Sequence, residues 1–156
     1  MPYAENTVVS SDKSRSEIER ILGRYGATSF MYGWQGINAV IMFIFNGKHI
    51  RFTLTLPSRD ERKFTHTPTG QLRIKSATER EYEQAVRQKW RALKLVIQAK
   101  LEAVESGISV FEEEFLANIV LPDNQTVAQF ILPQVNEAYR IGKMPEQLPL
   151  LTGGKK

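Results

Sequence analysis

The stretch NAVIMFIFNGKHIRFTLTL, residues 38–56, decides the fold. Its two halves are rich in β-branched and aromatic residues, the composition of strands. Between them stands Asn46–Gly47. A two-residue type I′ turn needs positive φ at both central positions, and Asn-Gly supplies that at least cost. With those two residues as the turn, Phe45 faces Lys48, Phe43 faces Ile50, Ile41 faces Phe52 and Ala39 faces Leu54. One face of the hairpin is then apolar, because side chains alternate along a strand.

Upstream, TSFMYGW (28–34) reads as another strand. A turn at Gln35–Gly36 sets Phe30 opposite Ile41 and Tyr32 opposite Ala39, so Phe30, Tyr32 and Trp34 join the same apolar face. The opposite face carries Ser29, Met31, Gly33, Val40, Met42, Ile44, His49, Arg51, Thr53 and Thr55. It is half apolar, and Met31, Met42 and Ile44 are candidates there for partner binding.

Before the strands, SRSEIERILGRYG (14–26) reads as a helix. Ser14 or Ser16 can cap it, and Ser14 has Glu17 at the capping-box spacing. Ile18, Ile21, Leu22 and Tyr25 form its apolar stripe, and Gly26 ends it. Helix one is expected to cover the apolar sheet face. Residues 1–13 read as loose and polar. After the strands, PSRDERKFTHTPTGQLRIK (57–75) reads as a long exposed basic loop.

A long helix follows from Ser76, capped with Glu79 at the same spacing. Tyr82, Val86, Trp90, Leu93, Ile97, Leu101 and Val104 recur at steps of three and four, and Gly107 stops it. Ser109 with Glu112 marks a short helix through Phe111, Phe115 and Leu116. Thr126 with Gln129 opens a last helix that ends at Gly142. Pro133 fits only its first turn, or kinks it. Residues 143–156 form a proline-containing tail. The fold class is α+β: one helix, a three-stranded antiparallel meander, a long helix and two shorter ones. Residues 14–142 form a single domain. The order α-β-β-β-α also occurs in double-stranded RNA-binding domains, but that family's basic loop signature is missing from the start of the long helix.

The chain has 156 residues, 42% of them hydrophobic and 24% charged, an ordinary composition for one globular domain. It contains no cysteine, which excludes disulfides, thiol catalysis and Cys-metal sites. No basic-then-apolar leader opens it, and its longest apolar run, AVIMFIF, is too short to span a membrane. A cytoplasmic setting in a bacterial cell, with no membrane contact, is expected. His49 and His66 are the only histidines, so a zinc site lacks ligands. His66 begins a His-x-Thr-like motif that Pro68 breaks, so a two-histidine phosphoesterase is not supported. Glu112–Glu114 fall in a first helical turn, where carboxylates offset the positive helix end. There is no phosphate loop and no nucleophile elbow. The expectation is a non-enzymatic protein without a cofactor.

Charge is unevenly spread. Residues 46–100 carry 13 Lys+Arg against 5 Asp+Glu, a net +8, while residues 101–156 carry 4 against 8, a net −4. On the long helix Arg80, Arg87, Arg91, Lys94 and Gln98 lie along one stripe. Loop residues Arg59, Arg62, Lys63, Arg73 and Lys75, with Arg51 on the sheet, add positive charge. Arg51, Arg59, Arg62, Lys63, Arg73, Lys75, Arg87, Arg91 and Lys94 are therefore candidate nucleic-acid contacts, since several cations together neutralise a phosphate backbone. Phe64 is the loop's candidate for base stacking. The plainer reading is a solvated helix face with ordinary intrahelical pairing. An acidic protein partner, or self-assembly of a basic middle on an acidic end, also fits the asymmetry.

SEIERILGRYGATSFMYGW, IRFTLTLP and KWRALKLVIQAKLEAVESGISVFEEEFLANIVLPDNQTV resemble a group of small proteins carried by bacteriophages and prophages. The resemblance covers roughly residues 3–145. It implies a phage or mobile-element setting and carries no activity with it. Small phage proteins without catalytic motifs often bind DNA or RNA, or obstruct a host protein, including those of defence systems.

Overall fold

The computed structural model describes residues 2–144, with side chains described from Asp12 onward. The elements are α1 (Pro2–Arg24), β1 (Ser29–Gln35), β2 (Asn38–Phe45), β3 (Lys48–Thr55), α2 (Arg62–Thr65), α3 (Lys75–Glu105), α4 (Phe111–Glu114), a 3-10 turn (Leu116–Asn118) and α5 (Val127–Ile141). The three strands form one antiparallel sheet in the order β1-β2-β3. This is the α+β arrangement expected.

The β2–β3 register is the one the Asn-Gly turn dictates, from Phe45↔Lys48 to Ala39↔Leu54. Asn46 and Gly47 both have positive φ. The β1–β2 turn is Gly36–Ile37 rather than Gln35–Gly36, so Phe30 pairs with Phe43 and Tyr32 with Ile41. The slip is two residues, and a two-residue slip leaves every side chain on its original face. Gly36, at φ 61°, supplies the left-handed conformation at the turn's first position.

α1 and α3 pack side by side on the apolar face. Ile18, Ile21 and Leu22 of α1, Ala39, Ile41 and Phe43 of β2, and Ile50 and Phe52 of β3 share one core with Tyr82, Val86, Trp90, Leu93, Ile97 and Leu101 of α3. Trp90 is 1% exposed, and its ring lies 5.6 Å from Tyr32. Glu17 meets Lys94, and Tyr25 faces Glu102 and Glu105 further along, so the two helices run parallel. Burial first, then those two carboxylates, raise the Tyr25 pKa. Phe111 and Phe115 close one end of the core, stacked on Phe45 and edge-on to Phe43 and Phe52.

Several local expectations are corrected. α1 begins at Pro2, so residues 2–13 are helical rather than loose and Ser14 and Ser16 are interior. Pro2 is tolerated in a first turn, and no Gly or Pro interrupts residues 3–22. α3 starts at Lys75 after Ile74, with no side-chain cap from Ser76. Ser109 does not cap α4; its hydroxyl has Glu114 Oε2 and the Val110 carbonyl as acceptors within hydrogen-bond distance. The Thr126–Gln129 capping box does form, and Gly142 ends α5 in the left-handed conformation. Pro133 lies inside α5 beyond the first turn, where it removes the bond to the Gln129 carbonyl. Residues 145–156 of the proline-containing tail lie outside the described residues.

The largest correction concerns residues 57–75. The segment is anchored on α3 through Phe64 of α2, while residues 68–72, 74 and 75 stay exposed as expected. Phe64 is 4% exposed and packs edge-on to Tyr82 at 5.7 Å, so it serves the core and offers no stacking surface. His66 bridges Leu72 across a turn at Thr67–Gly70, and Thr65 Oγ1 lies 2.7 Å from His66 Nδ1. Phe64→Ala is expected to cost about 3 kcal/mol, the usual range for an emptied aromatic site. Urea unfolding measures the loss, and limited proteolysis should cut between residues 57 and 74 faster than in the parent.

Candidate nucleic-acid interface

The core stripe of α3 fixes the rotation of that helix, and the rotation fixes where its arginines point. Arg80, Arg87 and Arg91 fall on one line, about a third of a turn from Val86, Trp90 and Ile97. All three are exposed. From Arg80 to Arg91 the line runs roughly 16 Å along the helix axis, at 1.5 Å per residue.

Lys94 lies on the α1 side of this line and donates to Glu17 Oε2 at 2.6 Å. That hydrogen bond holds the Glu17 carboxyl below the ordinary glutamate range. Lys13 and Arg20 lower it further by their charge, which places both near Glu17 on α1. Around the Glu17 carboxylate the parallel α1–α3 seam therefore gathers Lys13 and Arg20 from one helix and Lys94 from the other, with the line of Arg80, Arg87 and Arg91 beside Lys94 on α3. Lys13 and Arg20 escaped the sequence reading because only the apolar stripe of helix one was followed. Their spacing of seven, flanking Glu17, was the available signal.

The remaining sequence candidates have other work. Arg51 donates to the Asn124 side chain and carbonyl and to Gln129 Oε1, at 3.0–3.2 Å. It fastens the α5 capping box to the sheet. Arg59 lies 4.7 Å from the Tyr82 ring and 3.7 Å from Glu79. Arg73 donates to the Lys63 and Phe64 carbonyls, and Lys63 pairs with Glu61. Arg59 thus lies by Glu79 and Tyr82 of α3, and Lys63 and Arg73 are held near Tyr82 through Phe64, while Arg51 lies on the sheet. Arg62 and Lys75 are exposed on the loop side.

The protein satisfies much of its positive charge internally. Arg15, Lys48, Arg59, Lys63, Lys94, Lys100 and Arg140 each reach a carboxylate. Among the described residues, Lys13, Arg20, Arg24, Arg51, Arg62, Arg73, Lys75, Arg80, Arg87, Lys89, Arg91 and Lys143 have no carboxylate within ion-pair distance. Glu112 and Glu114 are partners of Lys48 and Lys100, which accounts for two of the three glutamates at 112–114. Among the described residues no group of three or more His, Asp or Glu is placed to hold a metal ion. No helix of the described residues is long and apolar enough to cross a membrane.

On the second sheet face, Met31 is exposed and Met42 and Ile44 are half-buried. Near β3 that face borders a cleft of about 350 Å³ lined by His49, Val120, Leu121, Pro122 and Asn124. No family model, curated protein or solved structure matches this chain.

The Glu17–Lys94 pair makes a pH prediction. A lowered folded-state pKa contributes stability that is present above the ordinary glutamate pKa and is lost as pH falls through the folded value. Lys94→Met should lower Tm at neutral pH and narrow its gap to the parent below pH 4, as followed by thermal melts across that range. Arg51→Ala should speed amide exchange in α5 and leave the seam intact.

Proposed function

We propose that this chain is a non-enzymatic nucleic-acid-binding protein whose contact surface is the α1–α3 seam. The carrying observation is that Lys13, Arg20, Arg80, Arg87 and Arg91 stand exposed and without carboxylate partners on the helical layer formed by α1 and α3. A rigid line of arginines roughly 16 Å long matches about five base-pair steps of 3.4 Å. Such a line suits phosphate contacts, which position a ligand without reading its sequence. The sequence resemblance makes a phage accessory role the natural setting.

The exposed Met31, beside Met42 and Ile44, favours a second reading in which the same protein holds or blocks a host protein. The two readings use different faces and separate by mutation.

Fluorescence anisotropy at low salt, with labelled single- and double-stranded DNA and RNA, tests the proposal. The parent should bind at micromolar concentration or tighter. Arg87→Glu/Arg91→Glu should weaken binding at least tenfold on every sequence tried, with unchanged circular dichroism. Arg51→Ala should bind as the parent does. No binding by the parent to any of the four ligands would overturn the reading.

A further inference from the structure

β1 and β3 are the two edges of the sheet, and they are treated differently. The β3 edge is covered: Val120 N donates to the His49 carbonyl at 2.8 Å, Asn118 Nδ2 donates to the Arg51 carbonyl at 3.0 Å, and Ile119 bridges Ile50. Among the described residues, no strand lies beside the β1 edge. Its sequence, SFMYGWQ, contains no charge and no proline. Lysines, prolines and bulges are what proteins use to keep a bare edge from pairing, and β1 has none of them.

β1 also carries an unexplained aromatic. Trp34 lies on the helix-side face, where the alternation places it with Tyr32 and Phe30, yet it is 65% exposed. At the other end of the same strand is a cleft of about 200 Å³ lined by Glu19, Leu22, Gly23, Ala27, Thr28, Ser29 and Phe30. It stays open because Gly23 has no side chain; a Cβ added there meets nothing within 4 Å.

We infer that β1 is a self-association edge: a second copy adds its own β1 antiparallel, and Trp34 of each copy seats in the cleft beside Phe30 of the other. Antiparallel pairing of a strand with itself about Tyr32 sets residue 34 opposite residue 30. Directly opposed residues share a face, so both indoles point to the helix side, where the clefts are. Glu19 on the cleft wall offers an acceptor for the indole N–H, which seeks a partner when buried. The chains carry a net charge of +4, but the meeting strands are uncharged, so no like charges are forced together. A two-fold contact requires a self-complementary patch, and a neutral strand bearing both the aromatic and its receptor is one. The product is a continuous six-stranded sheet. This pairing is independent of the nucleic-acid reading.

Sedimentation equilibrium of the full chain at high micromolar concentration tests it. The parent should weigh twice the 17.8 kDa chain. Trp34→Ala and Met31→Lys should sediment as monomers. Gly23→Leu fills the cleft while leaving the β1 sequence unchanged and replaces a helical glycine, so it should fold at least as stably as the parent and still be monomeric. Tryptophan emission of the parent should shift to the red on dilution as Trp34 returns to water. A monomeric parent overturns the inference, whether or not it captures an unrelated extended peptide. So does a dimer that Gly23→Leu and Trp34→Ala leave unchanged.

Discussion

Burial of Trp90 between a three-stranded sheet and a parallel helix is the constraint on which the rest depends. A single sheet this small cannot hide both faces, and one face carries Ala39, Ile41, Phe43, Ile50 and Phe52. α3 covers them with Val86, Trp90, Leu93 and Ile97, and α1 adds Ile18, Ile21 and Leu22. Once that stripe is seated, α3 has no rotational freedom left. Arg80, Arg87 and Arg91 then face outward beside α1, and Lys94 falls into the seam opposite Glu17. The cationic surface is thus a by-product of core geometry that the α1–α3 pairing gathers into a candidate site.

The same geometry accounts for the charge asymmetry along the chain. Part of it is cancelled internally: Lys48 and Lys100 from the basic middle reach Glu112 and Glu114 from the acidic end. Exposed pairs of this kind contribute little stability, a few tenths of a kcal/mol to about 1 kcal/mol each. Their effect is to neutralise the sheet and α4 end of the molecule. Positive charge without a carboxylate partner is left on the outer helical layer, on the loop side at Arg62, Arg73 and Lys75, at Arg51 on the sheet and at Lys143.

The sheet was legible in the sequence because two independent signals agreed. Asn46–Gly47 set the hairpin register, and the alternation from Ala39 to Leu54 set the face. The slip at the first turn was harmless because strand faces repeat every two residues. The core stripe of α3 and the α5 capping box were equally local and equally legible. What was hidden depended on tertiary contact. A basic, proline-bearing segment gives no local hint that Phe64 will find Tyr82, or that Arg73 will spend its donors on the carbonyls of Lys63 and Phe64. Arg51 reads as free sheet surface until Asn124 and Gln129 come to meet it. Lys13 and Arg20 join the candidate site only because α1 runs parallel to α3, and helix direction is not written in either helix.

The central claim is that the α1–α3 seam binds phosphates, and the salt dependence of nucleic-acid affinity reports that most directly. Each neutralised phosphate releases counterions, giving a slope of log K against log salt of about −0.9 per contact on duplex DNA. With Lys13, Arg20, Arg87 and Arg91 engaged, the account predicts a slope between roughly −3 and −4, falling in magnitude by about one when Arg91 becomes Ala. A slope near zero, or one that Arg91→Ala leaves unchanged, would contradict it.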